Sequence, residues 1–290
     1  MIHTDFIKHL EQICSQIEEK PVKLRAYEKI YGGDINQSYR LAMTDTDYFV
    51  KINTADKIDM FNKEAQGLQT LSKTQSFVVP TVYKTGVFKH QSYLLMEFIE
   101  KLEDVSNPEN FAQSLARMHR QTHSKYGFDT DNYIGELPQI NTPSPHWIDF
   151  YIQNRLQYQI DLAGSKIPAQ IQSAFEKLYQ KLPDLLPVEK ASFLHGDLWN
   201  GNYFYNSQGQ AVVFDPAVYY GHREVDLAMM SLFGGFERKI YEIYNEAFPL
   251  ESGWKNRLKI YQLYPLLVHV NLFGISYLTS IEQILNEYAT

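Results

Sequence analysis

The chain has 290 residues, of which 44% are hydrophobic and 21% charged, the composition of a globular protein that buries a substantial core. This length favours two domains with a cleft between them. Asp and Glu outnumber Lys and Arg by 34 to 27, and the resulting net charge of -7 argues against nucleic acid and against an anionic membrane as partners.

The N-terminal end and the cysteine content indicate a cytoplasmic protein. Residues 1–20 mix charged and apolar side chains at helical spacing, which predicts an amphipathic helix rather than a secretory signal. Cys14 is the single cysteine of the chain, so an intramolecular disulfide is excluded. A reducing compartment is the natural setting for such a chain.

The next part of the chain predicts a sheet with one inserted helix. Residues 24–43 read as a hairpin whose turn contains Gly32 and Gly33. Further strands are predicted over residues 48–52, 81–88 and 91–98, with a helix over 59–73.

Two charged side chains of this region are placed for function. Alternation along the strand puts Lys51 on the same face as Phe49. Helical spacing puts Glu64 near the side of Met60 and Leu68, four positions away in each direction. Glu64 is therefore expected to point inward or toward Lys51.

From about residue 102 the pattern becomes helical. Asn107 and Pro108 are a good helix start. Further helices are predicted over residues 147–163, 168–181 and most of 238–290. The most apolar stretch, 264–278, is shorter than the ~20 residues that a membrane span requires, so we interpret it as a buried helix.

The densest polar cluster lies between these helices, in His195-Gly-Asp-Leu-Trp-Asn-Gly-Asn and in Asp215 after an apolar strand at 211–214. Transfer of a phosphoryl group from ATP depends on positioning an acceptor hydroxyl and a Mg²⁺ ion. Asp197 is suited to accept the hydroxyl proton, while Asn202 and Asp215 offer the oxygen ligands that a hard cation takes.

The earlier region supplies complementary parts. Gly32 and Gly33 allow backbone N–H groups to approach phosphates, and Lys51 adds a positive charge held by Glu64. A strand lysine paired with a glutamate of the next helix is the arrangement of kinases. Each feature alone has an ordinary structural explanation, since a strand lysine is usually a solvated surface residue.

With these residues in place, the chain resembles the fructosamine kinase (ketosamine-3-kinase) family, within the group of aminoglycoside-phosphotransferase-like and choline-kinase-like enzymes. The matching strings, in chain order, are GGDIN at Gly32, FVKIN at Phe49, LARMH at Leu115, HGDLWNGN at His195 and FDPAVYYGHREVDLAM at Phe214. The resemblance implies a two-lobed, protein-kinase-like α+β fold. We expect a nucleotide-binding lobe at 1–96 with a five-stranded antiparallel sheet and a helix, a hinge at 97–100, and a helical catalytic lobe at 101–290.

The resemblance implies Mg-ATP-dependent phosphorylation of the 3-hydroxyl of ketosamines, the adducts that sugars form on amines and lysines; the product breaks down and frees the amine. The acceptors would be small ketosamines or glycated lysines of proteins, and a monomer is favoured. The implied roles are Asp197 as base, Asn202 and Asp215 as metal ligands, Lys51 with Glu64 as the nucleotide ion pair, and Met96, Glu97, Phe98 and Ile99 as the adenine hinge. Trp199 and His269 are the candidates for the sugar side, and His195 and Asp226 for structural support of the loop.

Some alternatives stay open, and the chain departs from broader kinase patterns. The glycine loop is not Gly-x-Gly-x-x-Gly, and Asp34 stands where some family members carry a cysteine that permits redox control. Pro216 after Asp215 argues against a protein-kinase activation switch. The alternatives are a kinase for another acceptor (an aminoglycoside, choline-like or sugar hydroxyl), a catalytically silent nucleotide-binding protein, and a metal-dependent hydrolase, which leaves Lys51 and Glu64 unexplained.

Overall fold

The structure is a computed structural model that describes residues 2–32, 35–103 and 105–289. Its first lobe is built on a five-stranded antiparallel sheet with the strand order β1-β2-β3-β5-β4, which confirms the expected sheet. The strands are β1 Ala26–Ile30, β2 Gln37–Ala42, β3 Asp47–Thr54, β4 Val82–Phe88 and β5 Gln91–Glu97.

The two faces of this sheet pack against different helices, and this decides where Lys51 points. Val50 and the residues two positions on either side are buried in a cluster with α1 (Thr4–Ile17). Phe49 packs on the opposite face, against α2 (Ile58–Lys73). Because side chains alternate along a strand, Lys51 lies on the α2 face, as predicted.

The second lobe is mainly helical and contains the largest hydrophobic core of the described chain. Its helices are α3 Pro108–His119, α4 Trp147–Tyr151, α5 Tyr158–Ala163, α6 Ala169–Leu185, α7 Glu224–Leu232, α8 Arg238–Ala247, α9 Trp254–Phe273 and α10 Leu278–Tyr288. Among the residues that the structure describes, the lobe also has seven short strands: β6 Thr122–His123, β7 Asn132–Ile134, β8 Leu137–Gln139, β9 Ala191–Leu194, β10 Tyr203–Tyr205, β11 Ala211–Val213 and β12 Tyr219–Gly221. Within the described ranges, no helix is long and apolar enough to cross a bilayer.

Two of the helix predictions were wrong in detail. The segment expected as one helix over 147–163 contains a π-helical stretch, Ile152–Gln157, between α4 and α5. The buried helix expected over 264–278 ends at Phe273, because Gly274 takes a φ of 104° that a helix cannot contain. Beyond this break the chain returns to the surface, and Ile275 is 62% exposed.

Candidate active site

A cleft of about 700 Å³ lies between the two lobes and is lined by residues of both. Gly32, Lys51 and Glu64 line it from the sheet lobe. The helical lobe contributes most of the remaining candidates, namely Asp197, Trp199, Asn202, Asp215 and His269. Gly33, a candidate phosphate-contacting residue, and Asp34 lie outside the described residues. The cleft therefore collects side chains that are distant in the sequence.

Lys51 joins the two lobes at the base of this cleft. Its Nζ lies 2.7 Å from Oε1 of Glu64 and also makes a direct ion pair with Asp215, 164 residues away. Burial alone would lower the pKa of the Lys51 ammonium, but the charges of Asp215 and Glu64 outweigh this effect and hold the pKa above its usual value. Lys51 thus stays positively charged although only 6% of its side chain is exposed.

Asp215 reaches the cleft through an unusual backbone conformation. It follows β11 with a φ of 54°, a left-handed value that is uncommon for a residue with a side chain. The next residue, Pro216, packs on Gly67 of α2, where an added Cβ would lie only 3.3 Å from the proline Cγ. Burial raises the pKa of the Asp215 carboxyl, but the Lys51 charge outweighs it, so the pKa lies below its usual value.

The loop after β9 is held in place by Asp226 of α7. One carboxylate oxygen of Asp226 accepts the backbone N–H of His195 at 2.8 Å, and the other accepts that of Gly196 at 2.9 Å. His119 lies 3.1 Å from the first of these oxygens. Gly196 has a φ of 82°, and a Cβ there would lie 2.1 Å from the carbonyl oxygen of Ala217. Only glycine fits this turn.

The imidazole of His195 connects the same loop to the strand before Asp215. Its Nδ1 accepts the backbone N–H of Asp197 at 3.3 Å, so its Nε2 carries the proton and donates to the carbonyl of Phe214 at 3.0 Å. Burial lowers the pKa of His195, in agreement with a neutral ring. Both ring nitrogens face the backbone, so the contacts of His195 and Asp226 are those of loop supports.

Asp197 and Asn202 form a pair at the mouth of the loop. The amide nitrogen of Asn202 donates to the backbone oxygen of Asp197 at 2.9 Å and to its carboxylate at 3.1 Å. Burial, together with the negative charge of Asp215, raises the pKa of Asp197 to about 7. A carboxyl group with this pKa is well matched to exchange a proton near neutral pH.

The donor set around Asp197 fits a cation that arrives with phosphate groups. Asn202 turns its amide nitrogen toward Asp197, which leaves its amide oxygen, with the Asp215 carboxylate, as oxygen atoms that could hold a cation. In the described residues no group of three or more His, Cys, Asp or Glu side chains is arranged to hold a metal. Mg²⁺ is commonly bound by only one or two protein oxygens plus substrate phosphates and water.

Aromatic side chains of the helical lobe also line the cleft. Trp199 and His269, the two sugar-side candidates, both line it. The Trp199 ring covers Gly201, where a Cβ would meet the ring at 2.3 Å, and lies 6.4 Å from the Phe233 ring. His269 donates from Nδ1 to the carbonyl of Pro265 at 2.7 Å.

The adenine-hinge candidates are placed differently. Met96, Glu97, Phe98 and Ile99 are not among the residues that line the cleft. Met96 is buried in the small cluster between the sheet and α2. The guanidinium of Arg40 lies 4.6 Å from the centre of the Phe98 ring. The four residues lie at and just beyond the end of β5, beside the connection between the lobes.

Sequence reasoning missed the buried polar floor of the cleft. Asn132 and Tyr264 line the cleft, and the Tyr264 hydroxyl donates to Gln139 at 2.8 Å. Asn132 accepts hydrogen bonds from Gln139 at 2.8 Å and from Asn141 at 2.9 Å. The amides of Asn132, Gln139 and Asn141 were the available signal, but amides at this spacing are equally typical of an ordinary loop.

The sequence is similar to fructosamine and ketoamine kinases along nearly the whole chain. The family model "Fructosamine kinase" matches residues 6–290. A "probable ketoamine kinase" of Enterococcus faecium is 43% identical over 264 residues, 89% of this chain and 94% of that protein. A chloroplastic "protein-ribulosamine 3-kinase" of Arabidopsis thaliana is 36% identical over 277 residues, 93% of this chain and 85% of that protein.

The fold agrees as well. The crystal structure of a protein assigned as a fructosamine-3-kinase from Haemophilus somnus superposes with a TM-score of 0.85 at 31% identity, covering 96% of both chains. This confirms the two-lobed α+β fold. The family model, the relatives and the ordered motifs lead to one conclusion: the chain belongs to the fructosamine kinase family.

Proposed function

We propose that this ATP-dependent kinase transfers the γ-phosphoryl group of ATP to the 3-hydroxyl of ketosamines, with Mg²⁺ as the metal. The O3–H bond breaks and an O3–P bond forms, while the bond from the γ-phosphorus to the bridging oxygen breaks and leaves ADP. The phosphorylated adduct is unstable, so the reaction frees the amine.

The main observation in support of the proposal is that two pairs of polar side chains, one from each lobe, line the same cleft. The Lys51–Glu64 pair comes from the sheet lobe, and the Asp197–Asn202 pair comes from the helical lobe. Asp215 contacts Lys51 and lines the same cleft. Phosphoryl transfer needs both a positive charge near the phosphates and a group that positions the acceptor, because its transition state is stabilised by positioning and charge.

Asp197 is proposed as the group that orients the acceptor hydroxyl and receives its proton. Its raised pKa keeps the conjugate acid stable at neutral pH, so the proton has a defined destination. Asn202 fixes the carboxylate through its amide nitrogen, and His195 and Asp226 keep the loop from shifting. A displacement of about 1 Å at the base would cost much of the rate.

The nucleotide is assigned to the sheet-lobe side of the cleft. Lys51 would neutralise phosphate oxygens, while Glu64 keeps the ammonium directed into the cleft. The backbone at Gly32 and Gly33 would approach the phosphates, and residues 96–99 would contact adenine. Asn202 and Asp215 would hold Mg²⁺, which supplies charge neutralisation of the phosphates when bound. We also propose that residues 1–96 form the nucleotide-binding lobe, 97–100 the hinge and 101–290 the catalytic lobe.

The acceptor is assigned to the helical-lobe side, where Trp199 and His269 face the cleft. The cleft opens to solvent, so both a free ketosamine and a glycated lysine on a protein are proposed acceptors. The buried thiol of Cys14 fits function in the cytoplasm, and we propose a monomer.

The test is ATP consumption with Mg²⁺ and a ribulose- or fructose-modified lysine, with the phosphate position determined by NMR. The Asp197→Asn variant is the control, because it keeps the size and removes the base. Turnover that needs both the adduct and Asp197 supports the proposal. Turnover only with another hydroxyl acceptor makes the chain a different small-molecule kinase. ATP binding without ADP formation on any acceptor makes it a silent binder, and hydrolysis without ATP would favour a metal-dependent hydrolase.

A further inference from the structure

Four aromatic rings form one wall of the cleft on its helical-lobe side. Phe233, His269, Phe273 and Tyr277 all line the cleft, and we call them the aromatic wall. His269 lies at its centre, with ring centroids 4.9 Å from Phe233, 5.3 Å from Phe273 and 5.0 Å from Tyr277. The wall is assembled from the end of α7, the end of α9 and the turn before α10.

Two rings of this wall are largely exposed to solvent. Phe233 is 42% exposed and Phe273 is 50% exposed, and the neighbouring Ile275 is 62% exposed. Exposed apolar groups gathered beside a cleft mark a binding surface more often than single exposed residues do. The faces of the Phe233 and Phe273 rings offer no hydrogen bonds to sugar hydroxyls, but they provide an apolar contact for an alkyl stem.

The charged groups that line the cleft favour a cation on its helical-lobe side. Among the described residues that line the cleft, the two lysines, Lys51 and Lys63, both belong to the sheet lobe. The helical lobe contributes no Lys or Arg to this lining, and its charged groups there are the carboxylates Asp197 and Asp215. The faces of aromatic rings carry negative electrostatic potential, which attracts ammonium groups.

His269 adds an acceptor rather than a competing charge. Burial lowers the pKa of its imidazole, so the ring is neutral at pH 7. Because Nδ1 donates to the carbonyl of Pro265, the neutral ring presents Nε2 as a hydrogen-bond acceptor. An ammonium N–H group is the matching donor.

We propose that the aromatic wall is a subsite for the substituted ammonium and the apolar stem of the ketosamine's amine. The proposal rests on the proposed function and deepens it. Asp197 would face the sugar hydroxyl while the rings hold the cationic end, so the site selects an amine adduct over an uncharged sugar derivative. A lysine side chain, with its apolar stem, has this chemistry.

The kinetic test compares two acceptors and three proteins at pH 7. The acceptors are N-butyl fructosamine and its ether analogue, in which oxygen replaces the amine nitrogen. The proteins are the unaltered chain, Phe273→Leu, which keeps apolar volume without a ring, and Phe273→Trp, which keeps a ring. Val188→Ala, at a side chain 96% exposed and outside the cleft lining, controls for handling.

We expect Phe273→Leu to raise KM for the amine about two- to tenfold, the range of a partly exposed cation–π contact. In the same variant we expect the KM for the ether to stay within about twofold of the unaltered chain, and kcat with the amine to be retained. Phe273→Trp is expected to have the amine KM of the unaltered chain. An equal rise in KM for both acceptors would show that Phe273 makes only an apolar contact, and it would overturn the proposal. An unchanged KM for the amine would overturn it as well.

A second measurement needs no turnover, so it separates failure of the subsite from failure of the proposed function. Saturation-transfer NMR compares tetramethylammonium with tert-butanol, a similar but uncharged shape. Signal from tetramethylammonium that is stronger than from tert-butanol and is lost in Phe273→Leu supports the subsite even if no ketosamine is phosphorylated. Equal signals, or signals that survive Phe273→Leu, overturn it.

Discussion

Replacing Asp226 by asparagine tests whether this carboxylate fixes the geometry of the catalytic loop. The side chain is completely buried and keeps nearly the same shape in the variant. The carboxylate accepts two backbone N–H groups, from His195 and Gly196, on different oxygens. An amide has one oxygen, so its NH₂ group must face one of these donors.

The magnitude follows from this loss. One hydrogen bond to a charged acceptor, worth about 1.5–3 kcal/mol, disappears, and the buried donor left without a partner costs about 1–3 kcal/mol. Asp226→Asn is therefore expected to lower the free energy of unfolding by about 2.5–6 kcal/mol. The displaced loop carries Asp197, so we expect kcat to fall as well, while the contacts of Lys51 with Glu64 and Asp215 are retained.

Urea unfolding followed by circular dichroism measures the stability, and steady-state kinetics at a temperature where the variant is folded measures kcat. Asp226→Glu keeps the charge but not the reach, and it serves as the matched comparison. An Asp226→Asn protein that unfolds at the same urea concentration, with an unchanged slope and an unchanged kcat, would refute this account of the loop.

Three further predictions rest on single contacts. Gly196→Ala forces a Cβ to within 2.1 Å of the Ala217 carbonyl oxygen, so we expect a loss of stability of at least about 1–3 kcal/mol in thermal unfolding and lower turnover. Lys51→Met removes the cation between two carboxylates, and kcat/KM for ATP is expected to fall about 10- to 100-fold, whereas KM for the acceptor changes little. Burial raises the pKa of Glu189, but its hydrogen bond from Arg223 outweighs this and leaves the pKa below its usual value. A lowered carboxyl pKa stabilises the fold above the unfolded value of about 4.3 and loses this contribution as pH falls through the folded value. Glu189→Gln should therefore show a weaker loss of stability than the unaltered chain when urea unfolding is repeated from pH 5 to pH 3, and an identical loss in both proteins would contradict the assignment.

Local patterns predicted the parts of the fold whose cause is local. The alternation of β3 placed Lys51 on the face opposite Val50, and the structure has it there because each face of the sheet meets its own helix. Asn107 caps α3 by accepting the N–H of Asn110, as its position before Pro108 indicated. Asp197 and Asn202 were both identified from one short motif, and they lie within hydrogen-bond distance because they belong to one short loop.

The ends and interruptions of helices were harder to predict from the sequence. The helix that starts at Pro108 ends at His119, and Thr122 and His123 then pair with β9. The helix expected at 147–163 gains a π-helical turn, and it carries Arg155, which is fully buried. The Arg155 guanidinium lies 4.0 Å from the centre of the Tyr219 ring. No sequence rule places an arginine in a core, because its burial depends on rings from elsewhere in the chain.

The sequence by itself determined the kind of chemistry, because the lysine, the carboxylates and the amide of the site are each carried by a short motif of recognisable type and order. Only the tertiary structure decided what these residues do together. Lys51 and Asp215 are 164 residues apart and meet because Pro216 packs on α2, the helix that also carries Glu64. Tyr277 likewise joins the aromatic wall from beyond the break at Gly274. Residue patterns report neighbours within a turn or a strand, whereas a site between two lobes is defined by contacts that form only when the lobes have packed.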